Sequence, residues 1–307
     1  MKPASFLSQR GENAIILGIC LMLFGNFMFA LNDAMGKWLV ASFSVGQVLF
    51  IRSIGAFLVL GPMVLQEGPR NLFSIDRPRL QFLRVMLATA DTGFFYAAVI
   101  YLPLADVMTF YMAGPIYLAA MAHFFLDEKA GWRRWVAILA GFCGVIVALR
   151  PSTASLSLES LFALIGSTSF AISMLLNRVL RGTSDSVLVT WQTVGALIVG
   201  AILCLTSWNP PGLFDIGAMM LLGIVSCAAH LMITRALKLA PASTLAPLQY
   251  TLLLWAVIFG AMFFGDLPDM QILVGSAIIV LSGLFIFHRQ KVVTNRVPKE
   301  NVPINMP

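Results

Sequence analysis

The sequence predicts an all-α membrane protein with ten transmembrane helices, arranged as two inverted five-helix repeats around a central cavity. Of its 307 residues, 59% are apolar and only 11% are charged, with a mean hydropathy of +0.88, whereas soluble domains are about 25% charged. A spanning helix needs about 20 residues, and ten apolar segments of roughly this length take up most of the chain. No soluble domain fits in the remainder.

The ten predicted spans are separated by short connections. They are Asn13–Val40, Val45–Leu65, Leu80–Tyr101, Leu104–Leu126, Trp135–Leu149, Leu158–Leu180, Val187–Thr206, Ile216–Leu237, Ala242–Phe264 and Met270–Phe287. The first follows Lys2 and Arg10 and resembles a signal peptide, but it is longer and leads into further spans, so we interpret it as an uncleaved helix.

Positive charge alternates along the chain and gives the orientation of the spans. All of the 20 lysines and arginines except Lys37, Arg52 and Arg150 lie at the termini, in alternate connections or at the adjoining helix ends. Cation-rich loops stay in the cytoplasm. We therefore predict a multi-pass protein of the bacterial inner membrane with both termini cytoplasmic and an even number of spans. These topology signals explain the net charge of +6 without a nucleic-acid partner.

The two halves of the sequence resemble each other in order. The matching stretches are 25–31 with 166–172, 102–106 with 239–243, and 124–127 with 263–266. Each half holds five spans, and an odd number means that the halves insert with opposite orientation, as in many transporters whose substrate site lies between the repeats. We predict one repeat over 13–150, a second over 157–288, and a disordered cytoplasmic tail over 289–307, which is polar and contains prolines.

Short motifs in the same order across both halves carry a family resemblance. They are Leu102-Pro-Leu-Ala-Asp, Gly114-Pro-Ile, Leu126-Asp-Glu-Lys, Gly131-Trp-Arg-Arg-Trp, Ala236-Leu-Lys-Leu-Ala-Pro-Ala-Ser, Ala246-Pro-Leu-Gln-Tyr-Thr and Phe264-Gly-Asp-Leu-Pro. This series resembles the EamA repeat of the drug/metabolite transporter superfamily, which implies a ten-helix basket around a central cavity. Among its subfamilies, the chain looks most like the YddG-type exporters of aromatic and other neutral amino acids.

Ionisable residues inside the spans are the first candidates for the cavity, because such groups face partners or water. Asp33 and Lys37 stand at i and i+4, either as a polar rim that meets a zwitterion at the extracellular mouth or as a neutralised pair at the helix end. Asp91 is placed to bind a substrate amine or carry a proton, or else to pair with Arg52. Arg84 lies near the cytoplasmic end of its span, where it is expected to snorkel.

A polar stripe of Ser226, His230 and Thr234 follows helical spacing on the eighth span. We expect it to face the cavity, with His230 either titrating during transport or simply bonded to a hydroxyl. His123 is expected at the membrane interface.

Matched prolines, Pro115 and Pro247, interrupt the fourth and ninth spans and point toward a binding site between the repeats. Neighbouring aromatic and amide side chains either contact a small organic solute or pack against other helices. The complete set of candidate cavity residues is Asn32, Asp33, Lys37, Asp91, Tyr96, Tyr111, Pro115, His230, Pro247, Gln249, Tyr250 and Trp255.

The predicted function is that of a secondary transporter, which exports aromatic or neutral amino acids or related metabolites by alternating access. The alternatives are transport of drugs, nucleosides or sugars, a channel, and an intramembrane lipid-modifying enzyme. We favour a non-enzyme, since the sequence carries no His-x-x-x-His, Gly-x-Ser-x-Gly or Walker-type motif. We expect no metal, because the four cysteines lack ligand spacing, and no cofactor. The expected partners are a small-molecule substrate and the bilayer, with the chain a monomer or homodimer.

Overall fold

The computed structural model describes the backbone of residues 4–73, 75, 77–114, 116–117, 132–149, 158–180, 182–239 and 245–294. All regular structure in these ranges is helical, which confirms the predicted all-α class. Pro115 and His123 lie outside the described residues, as does the predicted tail from residue 295 onward, and at Pro247 only the backbone is described.

The described part of the chain contains ten α-helices, α1 to α10. Their bounds are Ala4–Val40, Val45–Glu67, Pro78–Val99, Leu104–Tyr111, Trp132–Leu149, Leu158–Val179, Asp185–Cys204, Leu213–Leu239, Thr251–Phe259 and Met270–Thr294. They correspond in order to the ten predicted spans. The last helix continues to Thr294, into the segment that the sequence assigned to a disordered tail. Short 3₁₀ turns cover Pro69–Phe73 and Ala246–Tyr250, and a π-helix at Gly260–Phe264 follows α9.

Six of these helices are long and apolar enough to cross a membrane. They are α1, α2, α3, α6, α7 and α8. The region around α9 and the first part of α10 form shorter apolar helices. Many apolar side chains on the outer faces are exposed, such as Leu58 on α2, Ile202 on α7 and Leu281 on α10. Such surfaces suit contact with lipid, so the chain is a multi-pass membrane protein.

Local sequence signals explain where several helices begin and end. Ser44 and Ser184 cap α2 and α7, each accepting a hydrogen bond from the backbone amide three residues later. Proline at the first position suits the start of α3. Gly265 ends the π-helix with φ +69°, a left-handed conformation that glycine adopts without strain.

The helices pack in pairs that link the N-terminal five to the C-terminal five. The main pairs are α1 with α8, α3 with α6, α2 with α7, α2 with α8, and α5 with α10; smaller contacts join α1 to α9, α4 to α6, α3 to α7 and α4 to α9. Exchanging α1–α5 with α6–α10 in order maps this set of pairs onto itself. The pairing therefore has the pattern expected of two repeats related by a two-fold axis.

Glycines allow α2 and α8 to approach each other closely. A Cβ added at Gly223 would lie 1.8 Å from the carbonyl oxygen of Arg52, and one added at Gly55 would lie 2.2 Å from the carbonyl oxygen of Met220. The two backbones are therefore in direct contact, as small residues permit in membrane helix pairs. This contact fixes the depth of Arg52 relative to α8.

Candidate functional site

A cavity of about 100 Å³ lies between the two sets of helices, and we call it the main cavity. It is lined by residues of α1, α2, α3, α4, α6, α7, α8 and α9 and of the 3₁₀ turn before α9. Seven of the twelve predicted residues line it: Asn32, Asp33, Asp91, Tyr96, Tyr111, His230 and Gln249. The volume is sufficient for a few water molecules, so the charged groups around it can be solvated.

Asp33 lies on the buried face of α1, and its side chain accepts a hydrogen bond from the Asn32 amide at 3.1 Å. The predicted pair with Lys37 is wrong. Lys37 turns away from Asp33, and its Nζ lies 2.5 Å from the Asp266 carboxylate and 3.5 Å from the Leu102 carbonyl oxygen. The i, i+4 spacing made the pair possible, but the loops around the end of α1 supply a better-placed acid and a carbonyl. Lys37 is also absent from the lining of the main cavity.

Asp91 accepts a hydrogen bond from the Tyr111 hydroxyl, with 2.6 Å between that oxygen and Oδ1. The predicted alternative, a pair with Arg52, is wrong, since Arg52 directs its hydrogen bonds elsewhere. The Tyr111 ring is held edge-on by Phe95 at 5.6 Å between centroids and tilted against Phe170 at 5.7 Å. Asp91 is thus fixed in the cavity wall by a neutral donor.

Arg52 is 9% exposed and sits at the wall of the main cavity. It donates to the Tyr96 hydroxyl at 2.6 Å and to the Ser226 hydroxyl. It lines the same cavity as Asp33 and Asp91, with no hydrogen bond to either in the described structure. Arg52 is therefore a cation oriented by neutral hydroxyls.

Arg84 is only 2% exposed, so the expectation that it snorkels to the membrane surface is wrong. Its guanidinium donates to the Asn177 side chain, to the Leu188 carbonyl oxygen at 3.0 Å and to Gln192 Oε1 at 3.1 Å. α6 and α7 pack around the first part of α3 and provide three hydrogen-bond acceptors. A buried position is therefore favourable for the planar guanidinium of Arg84.

His230 contacts an amide, not the hydroxyl that the sequence suggested. Its Nε2 lies 3.3 Å from Gln192 Nε2, and Phe29 packs edge-on against the ring at 4.6 Å. Thr234 lines the main cavity, while Ser226 lines an adjoining cavity of about 30 Å³ that also reaches His230. The predicted stripe on α8 therefore faces polar space along its length.

Two further predicted residues, Tyr250 and Trp255, do not line the main cavity. Trp255 packs against Phe27 at 5.0 Å and Phe259 at 5.7 Å between ring centroids. Tyr250 is partly buried, and its hydroxyl has no hydrogen-bond partner in the described part of the chain. The packing alternative thus applies to Trp255.

The proline at 247 lies in the 3₁₀ turn before α9, and the ninth span is irregular at both ends. Asn26 of α1 donates to the Leu248 carbonyl oxygen at 2.7 Å and to the Thr251 hydroxyl at 3.0 Å. These bonds satisfy backbone that leaves the regular helix, as required inside a membrane.

Sequence reasoning missed one face of α6 that lines the main cavity. Its residues are Phe170, Ser173, Met174 and Asn177. The spacing of three and four between them places all of them on one helical face. The serine and the asparagine, two polar residues at helical spacing in an apolar span, were the sequence signal that could have identified this face. Gln192 on α7 was also missed, and no local pattern marks it.

The EamA-like transporter family matches residues 16–150 and 157–288 of the chain. An S-adenosylmethionine uptake transporter of Rickettsia prowazekii is 27% identical over 277 residues, covering 89% of this chain and 93% of the relative. A riboflavin transporter of Vibrio cholerae is 27% identical over 279 residues, covering 88% and 92%. A solved crystal structure aligns with a TM-score of 0.63 at 15% identity over 92% of this chain and 99% of its own length, which supports the fold alone.

Proposed function

The chain belongs to the EamA-like transporter family and is a membrane transporter, not an enzyme, and from this premise we propose that it carries S-adenosylmethionine. The observation behind the proposal is the composition of the main cavity. It combines two carboxylates, two guanidinium groups and several aromatic rings. Relatives of nearly full length are named for S-adenosylmethionine uptake, and this substrate has the matching set of charges.

S-adenosylmethionine carries a sulfonium and an ammonium cation, one carboxylate and an adenine ring. The carboxylates of Asp33 and Asp91 suit the two cations, because the described hydrogen bond of each comes from a neutral donor, Asn32 and Tyr111 respectively. Arg52 suits the substrate carboxylate. Attraction between such charges is stronger in a cavity than in bulk water.

Aromatic side chains suit the rest of the substrate. Phe95, Tyr111 and Phe170 form one connected aromatic group on the cavity wall. A sulfonium over such a ring gains a cation–π attraction, and adenine stacks on the same kind of surface.

Riboflavin is the second candidate, because relatives are named for it. The aromatic wall would suit its ring system. However, riboflavin is uncharged near neutral pH and offers no cation to either carboxylate. The charges of the cavity therefore favour S-adenosylmethionine. The narrower expectation of an aromatic amino acid exporter gains no support from the relatives reported above, and a neutral amino acid supplies only one cation for two acids.

Alternating access between two inverted repeats remains the proposed mechanism. The symmetric pairing of α1–α5 with α6–α10 supports it. At one end of the helices, Lys37 joins α1 to Asp266 near the start of α10. At the opposite end, Glu67 of α2 accepts from Ser184 and Ser186 at the start of α7. In this mechanism the contacts at one end break while those at the other hold. The relatives' names favour uptake over the predicted export, across the bacterial inner membrane.

The test is flux into proteoliposomes with radiolabelled S-adenosylmethionine, riboflavin and phenylalanine offered separately. We expect saturable flux of S-adenosylmethionine that is reduced about tenfold or more in Asp91→Asn and retained in Asp215→Asn, which alters an acid outside the main cavity. Flux that rises linearly with concentration would indicate a channel. Movement of riboflavin or phenylalanine with no movement of S-adenosylmethionine would contradict the proposal.

A further inference from the structure

We infer that Gln192 is a positioning residue that holds His230 as a neutral imidazole with its proton on Nδ1, so that His230 does not become a third cation beside the substrate. This inference deepens the proposed function, since it concerns how the same cavity accepts a positively charged solute. The inference rests on a chain of hydrogen bonds from Arg84 through Gln192 to His230.

The first link fixes the orientation of the Gln192 amide. A guanidinium carries only donors, and Arg84 Nη2 lies 3.1 Å from Gln192 Oε1. The atom facing Arg84 must therefore be the amide oxygen. Arg84 cannot turn away easily, because Asn177 and the Leu188 carbonyl oxygen hold its other nitrogens.

The second link fixes the tautomer of the imidazole. With its oxygen on Arg84, Gln192 presents its NH₂ group to His230, and the two Nε2 atoms lie 3.3 Å apart. An amide nitrogen only donates, so His230 Nε2 must accept and carries no proton. A neutral ring then has its proton on Nδ1.

The charges around His230 favour the same neutral form. Two guanidinium groups, Arg52 on α2 and Arg84 on α3, line the same cavity as the ring. Asp33 on α1 and Asp91 on α3 line the same cavity, but their described hydrogen bonds go to Asn32 and Tyr111. Phe29 of α1 packs edge-on against the ring. A protonated His230 would set two donors against each other and add a charge that repels a cationic solute.

Replacing the Gln192 amide, which donates to His230, with a carboxylate, which accepts, should favour a proton on His230 Nε2. In Gln192→Glu, one carboxylate oxygen can still accept from Arg84 while the other faces His230 Nε2 and favours its protonation. Gln249→Glu is the matched control. It adds the same charge to the main cavity, and the described structure shows no hydrogen bond between Gln249 and His230.

Two readouts test the inference. Flux of labelled S-adenosylmethionine is measured in wild type and in each variant from about pH 7.5 to about pH 5.5, the range in which histidine titrates. In Gln192→Glu we expect the flux relative to wild type to fall by about threefold or more between the neutral and the acid end. In Gln192→Glu/His230→Gln and in Gln249→Glu, the ratio to wild type should not change with pH, whatever its absolute value. An identical profile for Gln192→Glu and wild type would overturn the inference.

The second readout does not depend on the substrate. The chain has three histidines, so ¹⁵N-histidine spectra in lipid can be assigned by difference with His230→Gln. We expect His230 to show a protonated Nδ1 and an unprotonated Nε2 at neutral pH. A protonated Nε2 would overturn the inference. If this spectrum holds while S-adenosylmethionine does not move, the transport proposal has failed and the positioning role stands.

Discussion

Lys37 and Asp266 form an ion pair with 2.5 Å between Nζ and Oδ2, joining α1 to the turn between the π-helix and α10. The two side chains are 15% and 27% exposed, and the Lys37 ammonium also lies 4.7 Å from the centre of the Phe264 ring. The residues belong to different matched segments of the family. The pair therefore connects the two parts of the protein that alternating access requires to separate.

Breaking this pair should weaken the closed arrangement at that end. Because both side chains are partly exposed, we expect Asp266→Asn to lower stability by only about 1 kcal/mol, seen as a small fall in Tm in detergent. The exchange Lys37→Asp/Asp266→Lys should recover most of the loss. A double exchange no more stable than the single variant would show that charge pairing is not what holds this contact.

The Tyr111 hydroxyl should assist substrate binding through Asp91. Removing this donor in Tyr111→Phe is expected to raise KM for S-adenosylmethionine by about tenfold, since a hydrogen bond to a charged group is worth about 1.5 kcal/mol or more. Initial rates over a concentration series measure this change.

Tyr250→Phe is the matched control for that experiment. Its hydroxyl has no hydrogen-bond partner within the described ranges and does not line the main cavity, so KM should stay close to wild type. Equal effects of the two substitutions would remove the assigned role of Tyr111.

The contact between α2 and α8 should tolerate no added methyl group. Gly223→Ala places a Cβ 1.8 Å from a backbone carbonyl, so the helices must move apart, at a cost of about 2 kcal/mol. Thermal unfolding in detergent measures this loss. In Gly217→Ala, on the same helix, the added Cβ meets nothing within 4 Å, and Tm should be unchanged or slightly higher.

The two acids of the main cavity should act together on a substrate with two cations. Asp33→Asn and Asp91→Asn are each expected to reduce kcat/KM for S-adenosylmethionine by about tenfold to a hundredfold, the cost of leaving one charge unpaired. Kinetics of the single and double variants check this. Loss in Asp91→Asn alone would reassign Asp33 to a structural role.

The order and the approximate bounds of most described helices were predictable, because each span is a local run of apolar residues. The choice of ionic partners was not. Lys37 has an acid one turn away on its own helix but pairs with Asp266, and Arg84 is buried by acceptors on α6 and α7. The ionic partner of a side chain depends on which helices become neighbours. The spacing of residues within one helix contains no information about those neighbours.

The cavity itself was predicted in part for the same reason. Asp33, Asp91 and His230 stand out as ionisable residues in apolar spans, and all three line the cavity. Tyr250 and Trp255 are aromatic residues near a proline, a pattern shared by packing and binding positions, and neither lines it. Gln192 belongs to the site through its contacts with Arg84 and His230, which only the folded structure reveals.

Tracer counterflow tests the central claim most directly, because it needs only a substrate that exchanges across the bilayer. Proteoliposomes loaded with excess unlabelled S-adenosylmethionine should transiently accumulate labelled S-adenosylmethionine, and external riboflavin should not compete. Accumulation of labelled riboflavin under matched loading, with no accumulation of S-adenosylmethionine, would contradict the account. The cavity lined by Asp33, Asp91 and Arg52 would then not bind a substrate with two cations and one carboxylate.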